Sequence, residues 1–342
     1  MILNTLKSVG TFCKTCLEKE KMLPRKTVGL VLGCGASRGW AHIGIIEALE
    51  EANIPIDFIA GCSVGGYVGA LYASGSLGSL KKFLLRMDGK KIFSYFDVVF
   101  PRSGLLNGSR RVHELFSMHT EVQTFAELDI PLVMVATDLL RGEKVVIKSG
   151  NIIEALRATM SYPGLFAPVR VKDRWLVDGG LVDPVPVGVA RAMGAGIVIA
   201  VDLNNRIVSR AGQSSVLSVR KKHDIQLHEV AETESDTRNE LIKKMGDFYE
   251  NAENRLRHKT SELLGRDSTT PDIIETVMTS IGIMQERITR INLAVDRPDI
   301  LIQPRLGELK MMNFDQVTHA IKEGYIGVQE KLEDIRNLLQ NS

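Results

Sequence analysis

From residue 27 onward the chain alternates short apolar runs with stretches whose apolar positions recur at helical spacing. TVGLVLG (27–33) and IDFIAG (56–61) have the form of buried strands, and AHIGIIEALEEAN (41–53) between them that of a helix. PLVMVATD (131–138), EKVVIKSG (143–150), IIEALRATM (152–160), RWLVDGG (174–180) and AGIVIAVDL (195–203) continue the series, strand-like and helix-like by turns. Such alternation predicts an α/β fold with a mostly parallel central sheet and helices on both faces. Near residue 205 the texture changes to a polar, charge-rich stretch that runs to about 272, with one long helical pattern through 229–264. An amphipathic helix (271–295), a further buried strand in DILIQP (299–304) and one long closing helix (314–339) follow. We therefore expect an N-terminal amphipathic segment (1–26) and a single α/β domain (27–330), with the end of the closing helix at 331–342. Within that domain a helical insertion at about 205–295 precedes the last strand.

Composition narrows the field. Of 342 residues, 44% are hydrophobic and 25% charged, which is ordinary for a globular protein. A net charge of +2 and no interleaving of basic and aromatic residues give no reason to expect nucleic acid as a partner. The four cysteines, Cys13, Cys16, Cys34 and Cys62, make no disulfide framework, and Cys13-x-x-Cys16 has no second pair to complete a zinc site. No apolar run is long enough to span a membrane, and residues 1–23 lack the core and cleavage site of a signal peptide, so a cytoplasmic protein is expected. In that segment Ile2, Leu3, Leu6, Val9, Cys13 and Cys16 recur at helical spacing among several lysines. Such a stripe packs on its own protein or lies peripherally on a membrane surface.

The chemistry begins at Gly61-Cys62-Ser63-Val64-Gly65, a G-x-S-x-G spacing at the end of a strand-like run. A strand that turns sharply into a helix at such a point leaves the serine hydroxyl exposed, with glycines where the turn crowds the backbone. Upstream, Gly33, Gly35 and Gly39 lie between a strand and a helix in a spacing compatible with a dinucleotide site. That reading wants an acid at the end of the second strand, which instead ends at Ser63, and no cofactor is expected. If both strands are parallel neighbours, their C-terminal ends share an edge, and loop amides could face an oxygen bound beside Ser63 as an oxyanion hole. Arg38 brings a positive charge suited to an anion or to fixing the loop.

A serine nucleophile needs a base. None of His113, His119, His223, His228, His258 and His319 sits at a strand end followed by turn residues, and His42 lies inside the first helix. Asp178 does end a strand-like run, and Gly179-Gly180 after it permits a tight turn that sets the carboxylate at an edge. Asp183, before Pro184, reads as a turn acid.

The glycine loop with Arg38, the Gly61–Gly65 elbow and Asp178-Gly179-Gly180 occur in the order of the patatin-like phospholipases, which the chain resembles. AHIGIIEALEEANIPID (41–57), VATDLLRGEKVVIKSG (135–150), RATMSYPGLFAPV (157–169) and PDILIQPRLGELKMMNFD (298–315) look like bacterial members, so the resemblance spans about 27–203 and 297–327. It implies a three-layer α/β/α fold and a serine lipid acyl hydrolase, of phospholipase A or esterase type, acting through a Ser–Asp dyad without metal. Carried over, Ser63 is the nucleophile, Asp178 the base, and the loop containing Cys34, Gly35, Ala36, Arg38 and Gly39 the oxyanion hole. The family's loop is typically an unbroken glycine run; here Cys34 and Ala36 interrupt it, which costs about 1 kcal/mol wherever φ must be positive. Thioesterase or acyltransferase chemistry fits the same dyad. A catalytically weak lipid-binding or regulatory module, working through the insertion, is the alternative of another class. The insertion's narrow apolar stripe leaves two outcomes: packing near the acyl site, as a lid or a fixed helix, or pairing with a second subunit.

Overall fold

Val28–Leu32 (β1) and Phe58–Cys62 (β2) are buried throughout, as runs of Val, Leu, Ile and Ala hidden on both faces of a sheet must be. The structure, a computed structural model, describes residues 25–87, 114–205, 273–307, 309, 314 and 316–340. The chain divides into two compact units, one of residues 1–210 and 281–342, the other of 211–280. The long helical pattern at 229–264 and the N-terminal amphipathic segment lie outside the described residues.

The remaining strands of the first unit are Leu132–Asp138 (β3), Glu143–Ile147 (β4), Val169–Val171 (β5), Arg174–Asp178 (β6), Ile197–Val201 (β7) and Ile300–Ile302 (β8). They form one eight-stranded sheet in the order β5-β6-β3-β2-β1-β7-β8, with β4 also paired to β3. The strands β3, β2, β1, β7 and β8 run parallel, whereas β4, β6 and β5 are antiparallel to their neighbours. The strand β5 was not anticipated: three residues (Val-Arg-Val) are too short to show a period.

The described helices include Ala41–Glu51 (α1), Val64–Ala73 (α2), Leu77–Arg86 (α3), Ile152–Thr159 (α4), Val187–Ala192 (α5), Ile273–Val295 (α6), Val317–Gln329 (α7) and Leu332–Gln340 (α8). Alternate strand residues sort into two cores. Leu30, Leu32, Ile59, Met134 and Ile199 pack with Ile43 and Ile46 of α1 and Leu71 of α2 on one side. Val31, Ala60, Val133, Val135 and Ala200 pack with Val187 and Val189 of α5 on the other. Helix, sheet and helix therefore stack as three layers. Truncating a fully buried member such as Leu30 to Ala would cost about 2–5 kcal/mol.

The single closing helix expected from 314–339 is instead two. The chain breaks between Gln329 and Leu332, where Glu333 and Asp334 open α8 with acids in its first turn and Ile335 is buried. Carboxylates suit a helix N-terminus, so a second start there is favoured over continuation. None of the described helices is long and apolar enough to cross a membrane.

Candidate active site

The strand β2 stops at Cys62, and Ser63 turns the chain directly into α2 at φ 55° and ψ −124°. A positive φ is uncommon for serine and costs on the order of 1–3 kcal/mol, so the surroundings must hold it. The flanking glycines let α2 approach: a Cβ on Gly65 would lie 2.1 Å from the Leu32 carbonyl oxygen of β1, and one on Gly61 2.6 Å from Gly66 Cα. The Ser63 N–H donates to Thr159 Oγ1 (2.8 Å), whose hydroxyl donates in turn to the Val135 carbonyl of β3 (2.5 Å). One threonine at the end of α4 thus fixes the strained residue to the sheet.

How Asp178 reaches Ser63 follows from strand pairing. A strand has two edges, and β4 occupies one edge of β3 along Met134–Asp138. On the other edge β2 pairs as far as Cys62 opposite Val135, and β6 takes over with Asp178 opposite Ala136. The two strands therefore meet end to end on one edge, and their last residues are neighbours. Ser63 Oγ donates to Asp178 Oδ2 at 2.6 Å. Asp178 Oδ1 accepts from the Gly180 N–H at 2.7 Å, and the Asp178 carbonyl accepts from Thr137 Oγ1 at 2.8 Å. Burial pushes the carboxyl up from 3.8 to about 6, with the bonds from Ser63 and Gly180 opposing the rise. Near neutral pH the group is ionised, yet it binds a proton far more readily than an exposed aspartate.

The glycine loop continues from β1 into a short 3-10 helix, Ala36–Trp40, that leads into α1. Gly39 lies against the side chain of Val64, so the loop abuts the elbow. Its amides are not equivalent. Gly33 N–H donates to Val201 O (3.2 Å), Cys34 N–H to Pro184 O (2.9 Å) and Arg38 N–H to Gly35 O (3.1 Å). Among the described residues the amides of Gly35 and Ala36 have no hydrogen-bond partner. Ala36 sits at φ 48°, where glycine would be unstrained.

Arg38 is buried and spans the loop, donating from Nε to Leu309 O (3.0 Å) and from Nη1 to Asn204 Oδ1 (2.8 Å). Burial draws it down to about 10, still a cation at neutral pH. Its bonds make it a strut that ties the loop to the segments carrying Asn204 and Leu309. His42 Nε2 bonds the Gly33 carbonyl (2.8 Å), and burial lowers the ring to about 4, so it is a neutral donor. Of the other described histidines, His119 bonds Ser79 and His319 is exposed; the dyad has no imidazole partner among the described residues. Asp183 accepts from Lys144 (2.9 Å), a structural pairing. Cys34 and Cys62 are free, buried thiols, and burial raises Cys62.

Two contributors were not anticipated. Thr159 lies in a helix with no motif around it, and Gln285 of α6 places Nε2 over Gly180 with no partner among the described residues. No sequence spacing connects either to Ser63. Among the described residues no group of His, Cys, Asp and Glu is arranged to hold a metal ion.

Residues 30–191, which contain the loop, the elbow and Asp178, match the patatin-like phospholipase family. That stretch is similar to patatin-like phospholipase domains. An uncharacterized NTE family protein of Mycobacterium tuberculosis is 37% identical over 177 residues, covering 52% of this chain and 49% of that one. Human patatin-like phospholipase domain-containing protein 6 is 35% identical over 195 residues, 54% of this chain and 14% of its own. Lysophospholipase NTE1 of Pyricularia oryzae is 35% identical over 185 residues, 53% and 12% respectively. The chain thus spans about half the length of the mycobacterial relative and a small part of the others.

Proposed function

We propose that this chain is a serine lipid acyl hydrolase in which Ser63 is the nucleophile and Asp178 the general base. The observation that carries the reading is the 2.6 Å hydrogen bond from Ser63 Oγ to a buried carboxylate whose proton affinity is raised to about 6. As Oγ attacks the ester carbonyl its proton passes to Asp178 Oδ2, and the carbonyl oxygen gains the negative charge. The amides of Gly35 and Ala36 are the loop donors left to receive that charge. Collapse of the intermediate breaks the ester C–O bond, and the departing alcohol takes the proton from Asp178. Water then attacks the acyl-serine, losing its proton to Asp178, and releases a fatty acid as Ser63 recovers its hydroxyl.

The family, together with a fungal relative bearing the name lysophospholipase, favours phospholipids or lysophospholipids as acyl donors. The intact serine–carboxylate contact supports an enzyme over a catalytically silent lipid-binding module. An alcohol or thiol acceptor in place of water would give acyltransferase chemistry on the same two residues. The decisive experiment is hydrolysis of a chromogenic fatty ester together with labelling by a fluorophosphonate probe. Ser63→Ala should abolish both. Retained turnover in that variant would reject the assignment, and a wild-type protein that neither turns over nor labels would return the module reading.

A further inference from the structure

The β3–β4 and β5–β6 hairpins turn a few residues from Ser63 and Asp178, and together they expose large apolar side chains among cations. The turn after β3 carries Leu139 and Leu140, 48% and 76% exposed, and β6 carries Trp175, 41% exposed. These residues are in register. The Leu139 N–H donates to the Trp175 carbonyl at 2.8 Å, and Arg170 of β5 pairs with Trp175 on its far side. Directly paired residues face the same way, so Leu139, Trp175 and Arg170 form one row across three strands. The Arg170 guanidinium stands 5.9 Å from the Trp175 ring centroid. Within residues 138–144 and 169–175, cations outnumber acids five to three, and one of the acids, Asp138, is buried. That acid holds Arg141 and Arg174 at 3.1 and 3.8 Å while both guanidiniums remain largely exposed. Lys172, at the tip between β5 and β6, is exposed.

We infer that this row docks on an anionic phospholipid bilayer. Leucines at a turn and a tryptophan with an apolar face and a polar N–H are suited to the boundary between acyl chains and headgroups. Arginines and lysines around them answer lipid phosphate, and large apolar side chains grouped on a surface mark contact sites. The position fits the chemistry. Trp175 precedes Asp178 by three residues, and Leu139 follows Ala136, the partner of Asp178, by three, so the row lies about 10 Å along the strands from Asp178. A bilayer on the row would present its esters at the edge of the sheet that bears Ser63. The inference deepens the hydrolase reading by naming its surface, and rests on that reading only for what the contact is for.

The chain has two tryptophans, and Trp40 is fully buried, so a change of emission on adding lipid reports on Trp175. Full-length protein is titrated with vesicles of phosphatidylcholine, alone or mixed with phosphatidylglycerol, with brominated acyl chains as quenchers. Trp175 emission should shift to the blue and be quenched on the mixed vesicles, with weaker binding to pure phosphatidylcholine. Leu139→Ser/Leu140→Ser should weaken binding more than tenfold, and Arg170→Glu about fivefold or more on mixed vesicles. Both variants should keep wild-type turnover of a short soluble ester, which also verifies their folding. No response of Trp175 to any vesicle, unchanged binding in the variants, or equal binding to both compositions would overturn the proposal. Ser63→Ala separates the two readings, since it should bind vesicles as the wild type does while hydrolysing nothing. Docking by a wild-type protein that cleaves no ester would leave this inference standing and remove the enzymatic one.

Discussion

Replacing Asp178 by asparagine should destroy activity and make the protein more stable, and the gain should depend on pH in a defined way. The carboxyl is raised from 3.8 to about 6 because burial removes its water. At about 1.4 kcal/mol per tenfold change in proton affinity, the ionised group costs the folded state ~3 kcal/mol at neutral pH. The sign is fixed by the direction of the change. A carboxyl that binds protons more tightly when folded adds stability in full below its unfolded value, and that contribution is lost as pH rises through about 6. Asparagine can keep both contacts, its oxygen accepting from Gly180 N–H and its amide donating to Ser63 Oγ, and it carries no charge to desolvate. Thermal unfolding of the two proteins should therefore nearly coincide at pH 4. The gap should open between pH 4 and 6 and level near 3 kcal/mol above pH 7, about 5 °C or more for a chain of this size. Hydrolysis should fall on the order of 10²–10⁴-fold in the variant. The wild type's kcat/KM should rise with pH up to about 6 and then flatten, because only the ionised carboxylate can accept the serine proton. An asparagine variant equal to or weaker than wild type at pH 7.5, or a gap independent of pH, would refute the reasoning.

Ala36→Gly should raise unfolding stability by about 1 kcal/mol, since φ 48° strains alanine and not glycine, with turnover kept; urea denaturation measures it. Thr159→Val leaves the Ser63 amide and the Val135 carbonyl without their shared partner, which should cost about 1–3 kcal/mol and lower kcat more than it changes KM. Thr159→Ser, which keeps the hydroxyl, should restore kcat, and a common loss in both variants would assign Thr159 to packing alone.

Much of this arrangement could be read from residue patterns, and the remainder has physical reasons for being hidden. The apolar runs that became β1, β2, β3 and β7 are buried on both faces, which is what an unbroken apolar strand reports. Gly61-Cys62-Ser63-Val64-Gly65 announces its own geometry because only a missing Cβ lets α2 sit against β1. Strand direction leaves no such mark. Side chains alternate identically in parallel and antiparallel pairs, so nothing along 174–178 signals that β6 runs against β3 and meets β2 end to end. The donors of the glycine loop were illegible for a related reason. Whether the Cys34 amide is free depends on the carbonyl of Pro184, a residue brought beside it only by the finished fold. Thr159 acts through one hydroxyl, and a single hydroxyl makes no pattern.

On the proposed mechanism two residues do what serine hydrolases of other folds do with three, and the reason lies in what the fold does to the carboxylate. In a Ser–His–Asp triad the imidazole supplies a base of ordinary pKa about 6.5, and the acid holds it in the right orientation. Asp178 reaches about 6 by losing its water. Its orientation comes from the backbone: Gly180 N–H fixes Oδ1, and Ser161 O and Thr137 Oγ1 hold the peptide groups on either side. Burial thus replaces the intrinsic chemistry of histidine, and the hydrogen-bonded turn replaces its orienting partner. The arrangement works only while the site stays dry around Oδ2. A change that admitted water there, with every hydrogen bond intact, would draw the carboxyl back toward 3.8, stabilising the protein and weakening the base together.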